Sequence, residues 1–177
     1  MNEVIHFWFE ELEPRQHWLK DNALDELIIH RFAKLHNAAI QGELWSWRAT
    51  PEGRLAEIII LDQFSRNMFR DQAKSFAFDS MALVLAQEAV LQKQDILLPV
   101  EQRCFLYLPF MHSESLLIHG QAMVLFDQPG MENNFRFEKR HQEIIARFGR
   151  YPHRNEILNR SSSMEEIAFL KEPGSSF

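Results

Sequence analysis

Three polar segments of the 177-residue sequence carry the residue types that could do chemistry. The first runs from Leu61 to Arg70. At 100° per residue its Asp62, Gln63, Arg66 and Arg70 lie within about 100° of one another on one side of a helix that is otherwise apolar. Asp62 and Arg66 have the four-residue spacing of a helical ion pair. The pattern fits two functions equally well: a preorganised pocket floor with arginine facing an anion, or an internal network that ties helices together.

The second segment runs from Leu108 to Glu114, where a proline precedes a histidine and a carboxylate. Pro109 cannot supply the backbone N–H of an uninterrupted helix, so it either kinks the helix or starts a new one. His112 and Glu114 at such a break could serve as an acid–base pair. A hydrogen-bonded core histidine near a kink is the alternative interpretation.

The third segment, from Arg147 to Asn155, is an arginine-rich bend. Gly149 and Pro152 predict a tight turn between two helices, and Arg150, His153 and Arg154 surround it. Arginine forks and helix N-termini both favour phosphate or carboxylate. The alternative is an interhelical corner whose arginines cap helix ends and pair with acids elsewhere, namely Asp62 or Glu114.

The charge distribution favours a small anionic ligand over a polyanion. The net charge is −6, yet residues 136–160 hold seven cations and only three acids. A local basic patch on an acidic protein fits a small anionic molecule or a peptide carboxylate better than nucleic acid, which we predict is not a partner. Salt bridges between this patch and the acidic remainder would give the same composition.

Several other chemistries lack their motifs. The residues four positions after His112, His141 and His153 are apolar, so no helical metal pair is predicted among these histidines. The sequence also has no Gly-rich phosphate loop and no Gly-x-Ser-x-Gly elbow. Cys104 is the single cysteine, which excludes a disulfide and a cysteine zinc cage. Apolar runs reach only about eight residues against the roughly 20 needed to span a bilayer. With no leader before Val4, we predict a cytoplasmic protein without metal, cofactor or membrane contact.

The elements that must position these residues are all helical. Apolar residues recur at helical spacing throughout, and no segment alternates convincingly. Predicted boundaries are 3–12, 21–44, 51–68, 77–91, 99–126 with an interruption at Pro109, 135–148, 153–158, and a last helix that a capping box over Ser162–Glu165 begins. The sequence thus predicts an all-α single domain over 1–177, built of eight or nine helices stacked as antiparallel hairpins, with 171–177 as a loose tail.

Taken together, the three segments resemble the bacterial domain-of-unknown-function family 924, as do the opening residues around Trp8 and the closing 162–170. The resemblance covers nearly the whole chain and implies a tetratricopeptide-like α–α superhelix. Asn159 departs from the glycine usual in that family, although asparagine also adopts left-handed turns. The residues that the resemblance and the three segments together nominate as ligand-binding are Asp62, Gln63, Arg66, Asn67, Arg70, His112, Glu114, His141, Arg150, His153, Arg154 and Asn155.

Three functions are compatible with these patterns. The leading hypothesis is a helical scaffold whose arginine, histidine and glutamate side chains line a pocket for a small anionic ligand or a peptide carboxylate. The second is a metal-independent enzyme that uses His112 or His153 with Glu114 for acid–base catalysis. The third is a protein–protein adaptor. The sequence does not predict an oligomeric state.

Overall fold

A computed structural model describes residues 1–176 and confirms the all-helical prediction: the described part of the chain contains eight helices and no strand. Residue 177, the end of the predicted tail, lies outside the described residues. The helices are α1 (Asn2–His6, continued by the π-helical turn Phe7–Glu11), α2 (Asn22–Ile40), α3 (Pro51–Ile59, the π-helical turn Ile60–Phe64, and Ser65–Met68), α4 (Asp79–Leu91), α5 (Val100–Met111), α6 (Leu116–Phe126), α7 (Glu132–Phe148) and α8 (Met164–Phe169).

Side-chain caps fix several helix ends where the sequence predicts them. The Asp21 carboxylate accepts hydrogen bonds from the backbone N–H groups of residues 23 and 24, and Thr50 accepts one from Gly53 N–H, with proline at the first position of α3. Such caps satisfy backbone donors that have no partner within the helix. Gly149 ends α7 with a left-handed φ of +70°, a conformation that costs glycine little.

Other boundaries differ from prediction. Helix α2 ends at Ile40; residues 41–44, its predicted last residues, form a turn that leads into the 3-10 helix Trp45–Ala49. The capping box of α8 uses Ser163 with Glu166 instead of Ser162 with Glu165: each side chain accepts from the other's backbone N–H. Pro109 lies inside α5 without ending it, and α6 begins separately at Leu116.

The predicted helix 153–158 is wrong. Only a 3-10 turn, Pro152–Arg154, is regular, and the chain then closes on itself through a backbone hydrogen bond from Arg160 N–H to Asn155 C=O at 2.8 Å. Asn159 makes this closure with a left-handed φ of +53°. The segment is therefore a compact corner and not a helix, which matters below because it carries Arg154.

Helix α3 lies at the centre of the molecule and contacts α1, α2, α4 and α5. It is apolar nearly all round and buried, as predicted: Leu55 and Phe64 are both 0% exposed. The ring centroids of Phe64 and Phe32, the latter in α2, are 4.8 Å apart, and those of Phe32 and Phe7, the latter in α1, are 5.0 Å apart. The polar residues of this helix are consequently held in place by packed neighbours on several sides. Helices α5, α6 and α7 pack in succession, and the tetratricopeptide-like superhelix stays a prediction.

None of the described helices is both long enough and apolar enough to cross a membrane.

Replacing Gly53 by alanine is expected to destabilise the protein by about 1–3 kcal/mol, the usual cost of overpacking. Gly53 lies in the first turn of α3, where an added Cβ would overlap the Trp47 carbonyl oxygen. Gly120 of α6 is the matched control, since nothing lies within 4 Å of the Cβ position there. Gly120→Ala should be neutral or stabilising, because alanine is the better helix former. Urea denaturation of both variants checks this, and equal midpoints would contradict it.

Candidate functional site

Five charged or titratable side chains meet beside the centre of the molecule, and we call them the central polar cluster: Asp62, Arg66, Asp79, His112 and Arg154. Helix α3 contributes the first two, α4 contributes Asp79, His112 follows the last residue of α5, and Arg154 comes from the corner at 149–160. Segments distant along the chain therefore converge, and four of the cluster's five residues are among those nominated from sequence.

Asp62 is the innermost member of the cluster and is 0% exposed. Its Oδ1 lies 2.7 Å from His112 Nδ1 and 3.4 Å from Arg66 Nη1, the ion pair predicted from their spacing. Oδ2 accepts a short hydrogen bond from Gln63. Burial alone would raise the pKa of Asp62, but the charge of Arg66 and the hydrogen bonds from His112 and Gln63 hold it well below its usual value. Asp62 is therefore a buried carboxylate.

Asp79 is shared between the two arginines. Its oxygens accept a bidentate pair of hydrogen bonds from Arg66, at 2.9 and 3.1 Å. Oδ2 also lies 3.4 Å from Arg154 Nη1, longer than the 2.7–2.9 Å of a good charge-assisted hydrogen bond. Arg66 thus has one carboxylate at close range and a second at 3.4 Å, whereas Arg154 has a single carboxylate, at 3.4 Å.

Arg154 is held by aromatic rings more than by carboxylates. Its guanidinium carbon lies 4.6 Å from the Phe76 ring centre and 4.5 Å from that of Tyr151. The side chain is only 6% exposed, and Nε has no hydrogen-bond partner among the described residues. Burial and the nearby charge of Arg66 lower the pKa of Arg154. An anion bound here would relieve both effects.

His112 is oriented by Asp62 and is neutral. Burial and the charge of Arg66 lower the pKa of His112. Because ionised Asp62 can only accept, the imidazole hydrogen lies on Nδ1, which leaves Nε2 as the basic nitrogen. Within residues 1–176 the hydrogen bond of His112 is the one that Nδ1 makes with Asp62, and the side chain is 15% exposed. His112 can therefore accept a hydrogen bond from a group outside the protein.

Asn67 and Arg70 face away from the cluster. Both donate hydrogen bonds to Asp25 of α2. The Asp25 Oδ1 atom lies 2.8 Å from Asn67 Nδ2 and 2.6 Å from Arg70 Nη2. Arg70 lies past the end of α3 at Met68, so the helical angle that placed it beside Asp62 no longer applies. These two residues tie α3 to α2.

Glu114 does not pair with His112. Its carboxylate accepts hydrogen bonds from Arg160 at 2.6 and 2.9 Å and from the Tyr151 N–H at 2.8 Å. Burial would raise the pKa of Glu114, but the hydrogen bonds from Arg160 and the Tyr151 N–H have the larger effect. The pKa of Glu114 therefore lies below its usual value. Glu114 therefore anchors the corner, as the alternative interpretation of the arginine-rich bend predicts.

Two more nominated residues stabilise the same corner. Arg150 binds Glu166 of α8 through two hydrogen bonds, at 2.7 and 2.9 Å. Asn155 accepts from Arg160 Nε at 3.0 Å. These contacts hold the backbone that presents Arg154, so Arg150 and Asn155 position the cluster from outside it.

His141 and His153 flank the buried Tyr151 ring, at centroid distances of 5.7 and 5.6 Å. Burial lowers the pKa of His141 to about 3 and that of His153 to about 4. Both are therefore neutral at physiological pH. The Tyr151 hydroxyl donates to the Met111 carbonyl at 2.5 Å, which fixes the ring that supports Arg154.

The stability of the protein is expected to fall as the pH decreases from about 6.5 to about 4. Burial lowers the pKa of His36 to about 4, against about 6.5 in an unfolded chain. Between these values the unfolded state binds more protons, so the free energy of unfolding decreases as protons are added. Each such histidine contributes a slope of up to about 1.4 kcal/mol per pH unit.

The measurement is urea denaturation between pH 7 and 4.5 for the wild type and His36→Gln. Glutamine can keep the 2.8 Å hydrogen bond that His36 Nε2 makes with Ser65 Oγ, but it does not titrate. His30→Gln, at an exposed position of the same helix, is the control and should keep the wild-type slope. A His36→Gln slope equal to that of the wild type would contradict the expectation.

Sequence reasoning missed Asp79, Phe76 and Tyr151. Asp79 looks like an ordinary acid in the first turn of a helix rich in alanine and leucine, and its 13-residue separation from Arg66 carries no local signal. Phe76 and Tyr151 are aromatic residues among many. Only the tertiary arrangement shows that they enclose an arginine.

Two depressions of the described surface lie away from the central polar cluster. A depression of about 540 Å³ is lined by Gln16 and residues 19–23, and one of about 110 Å³ by Phe137, Arg140, His141, Ile144, Gly174 and Ser176. Among the nominated residues, only His141 lines either of these two depressions. The central polar cluster is only partly exposed: the side chains of Arg66, Asp79 and His112 are 22%, 17% and 15% exposed.

No group of three or more histidine, cysteine, aspartate or glutamate side chains within residues 1–176 is arranged to hold a metal ion.

The sequence and fold place the chain in a known class. The model of a bacterial protein family of unknown function (DUF924) matches residues 4–174. The chain therefore belongs to this family, as its three polar segments predict.

A solved structure of a protein of unknown function from Agrobacterium tumefaciens is similar to this chain throughout. The two share 36% identity and a TM-score of 0.91, over 96% of each chain. The comparison with curated proteins gives no match.

Proposed function

We propose that this protein binds a small anionic molecule, and that Arg154 and Arg66 bind its carboxylate or phosphate group. The observation that carries this proposal is Arg154: a guanidinium with 6% of its side chain exposed, a single carboxylate contact at 3.4 Å and an unpartnered Nε. A buried arginine kept only for structure would be expected to have its donors satisfied.

The surroundings of Arg154 fit an anion-binding role. Contact with the rings of Phe76 and Tyr151 holds the guanidinium in place, which reduces the entropy lost on binding. Arg66 supplies a second fork from the rigid α3. The unpartnered Nε2 of His112 can accept a hydrogen bond from a hydroxyl of the ligand or from a protonated phosphate oxygen. The ligand class is therefore a small carboxylate or phosphate that also carries a hydrogen-bond donor, in the cytoplasm that the sequence predicts.

Melting-temperature shifts with inorganic phosphate and with small carboxylates test the proposal. A ligand at 100 times its Kd should stabilise the wild type by about 2.7 kcal/mol. Arg154→Gln should lose most of this response, whereas Arg136→Gln should keep it. Arg136 is an exposed arginine of α7 that contacts Asn133, so it controls for the change in net charge. Responses of equal size in Arg154→Gln and the wild type would contradict the proposal.

A second candidate, acid–base catalysis without a metal, is favoured by the His112–Asp62 pair. A carboxylate that orients one imidazole nitrogen and leaves the other basic is the arrangement of a general base. In this candidate Asp62 takes the place that the sequence hypothesis gave to Glu114. The base would remove a proton beside the anionic group that the arginines hold.

Deuterium exchange tests this candidate. A carboxylate that raises the melting temperature is incubated with the protein in D2O, and its C–H signal next to the carboxylate is followed by NMR. The wild type should accelerate exchange at this carbon, and His112→Gln should not. An exchange rate in the wild type equal to that without protein would contradict catalysis and leave anion binding intact.

A further inference from the structure

Asp79 differs from Asp62 in the way it reaches the two arginines. Asp62 is 0% exposed and projects from the packed interior of α3, whereas the Asp79 side chain is 17% exposed. Asp79 is the first residue of α4. The segment before it lies at the surface, with residues 71–74 and 77 exposed. Of the two carboxylates in the cluster, Asp79 is therefore the one on the solvent side.

Asp79 also stands where an incoming anion would have to bind. It contacts Arg66 through both oxygens and lies 3.4 Å from Arg154. The guanidinium carbon of Arg154 lies against the rings of Phe76 and Tyr151. An anion that reached both guanidinium groups would approach the Asp79 carboxylate closely, and two carboxylates at such a distance repel each other.

One carboxylate is too few for the two arginines it faces. The bidentate contact with Arg66 uses both oxygens, and Arg154 keeps an unpartnered donor. Asp62 cannot make up the difference, because it already binds His112, Gln63 and Arg66. A ligand with a phosphate or carboxylate group could contact both arginines more completely than Asp79 does.

We infer that Asp79 competes with the ligand: its carboxylate occupies the anion site in the free protein, and the anionic group of the ligand displaces it. This inference rests on the proposed function and adds its regulation. Selectivity follows, because a ligand must interact with the arginine pair better than a carboxylate already in place.

Titration of the wild type and Asp79→Asn with inorganic phosphate tests the inference. Asparagine has the size of aspartate but no charge, so Asp79→Asn should bind phosphate with a Kd lower by about tenfold, equivalent to roughly 1.4 kcal/mol. Asp127→Asn, at an exposed acid between α6 and α7, is the control and should keep the wild-type Kd. Tighter binding by Asp79→Asn alone supports the inference. An Asp79→Asn Kd equal to or higher than that of the wild type overturns it, while the wild-type binding leaves the proposed function standing.

A second measurement needs no variant and covers the case in which Asp79→Asn fails to fold. Amide hydrogen exchange of residues 73–79 in the wild type should become faster with saturating phosphate, because release of Asp79 frees the start of α4. Slower or unchanged exchange there, with phosphate bound, overturns displacement. Absence of phosphate binding by both the wild type and Asp79→Asn, with Asp79→Asn folded, overturns the proposed function itself and the inference with it.

Discussion

Asp62→Ala is expected to lower the free energy of unfolding by about 3–5 kcal/mol, the usual effect of removing one partner from a buried ion pair. The substitution leaves Arg66 with Asp79 alone, and it removes the acceptor of the 2.7 Å hydrogen bond from His112. It also creates a cavity beside α3, in the centre of the molecule. Urea denaturation at pH 7 measures the effect.

Two further variants separate charge from packing at this site. Asp62→Asn keeps the volume and an acceptor for His112 but not the charge, so it should cost less than Asp62→Ala. Asp127→Ala, at an exposed position, should change stability by no more than about 0.5 kcal/mol. An Asp62→Ala protein as stable as Asp127→Ala would show that Asp62 does not hold the cluster together.

Tyr151→Ala is expected to cost about 3–5 kcal/mol, as for other large core aromatics, and also to abolish the phosphate response. Tyr151 is 0% exposed, and its ring supports the guanidinium of Arg154. Tyr151→Phe keeps this ring and loses only the hydroxyl that donates to the Met111 carbonyl. It should cost about 1–3 kcal/mol and keep the phosphate response.

Melting curves of both tyrosine variants, with and without phosphate, make the measurement. The informative comparison is the shift that phosphate causes in each variant, since this separates ligand binding from stability. If Tyr151→Ala stays folded and responds to phosphate as strongly as Tyr151→Phe, the ring is not needed to position Arg154.

Local signals in the sequence were enough to predict the elements but not all their ends. Periodicity located α2, α3 and α6, and the caps at Asp21, Thr50 and Gly149 act at short range along the chain. The sequence predicts a helix after Pro152, where the structure has a corner. Long-range contacts hold this corner in place, notably that of Arg160 with Glu114. Such contacts leave no periodic pattern.

The site was predicted in part for the same reason. Asp62 and Arg66 are neighbours on one helix, so their pairing follows from spacing. The structure brings His112 and Arg154 close to them, while the ligand pocket that the sequence hypothesis builds from these residues stays a prediction. The partner of Arg154 was not predictable, because Asp79 reaches it from a helix 75 residues away along the chain.

A crystal structure of the protein grown or soaked in phosphate would show whether an anion displaces Asp79 from the two arginines. We expect a phosphate ion within hydrogen-bond distance of the guanidinium groups of both Arg66 and Arg154, with the Asp79 carboxylate turned away from them. An unchanged Asp79–Arg66 bridge, with no anion at Arg154 under conditions that saturate any solution binding, would contradict it.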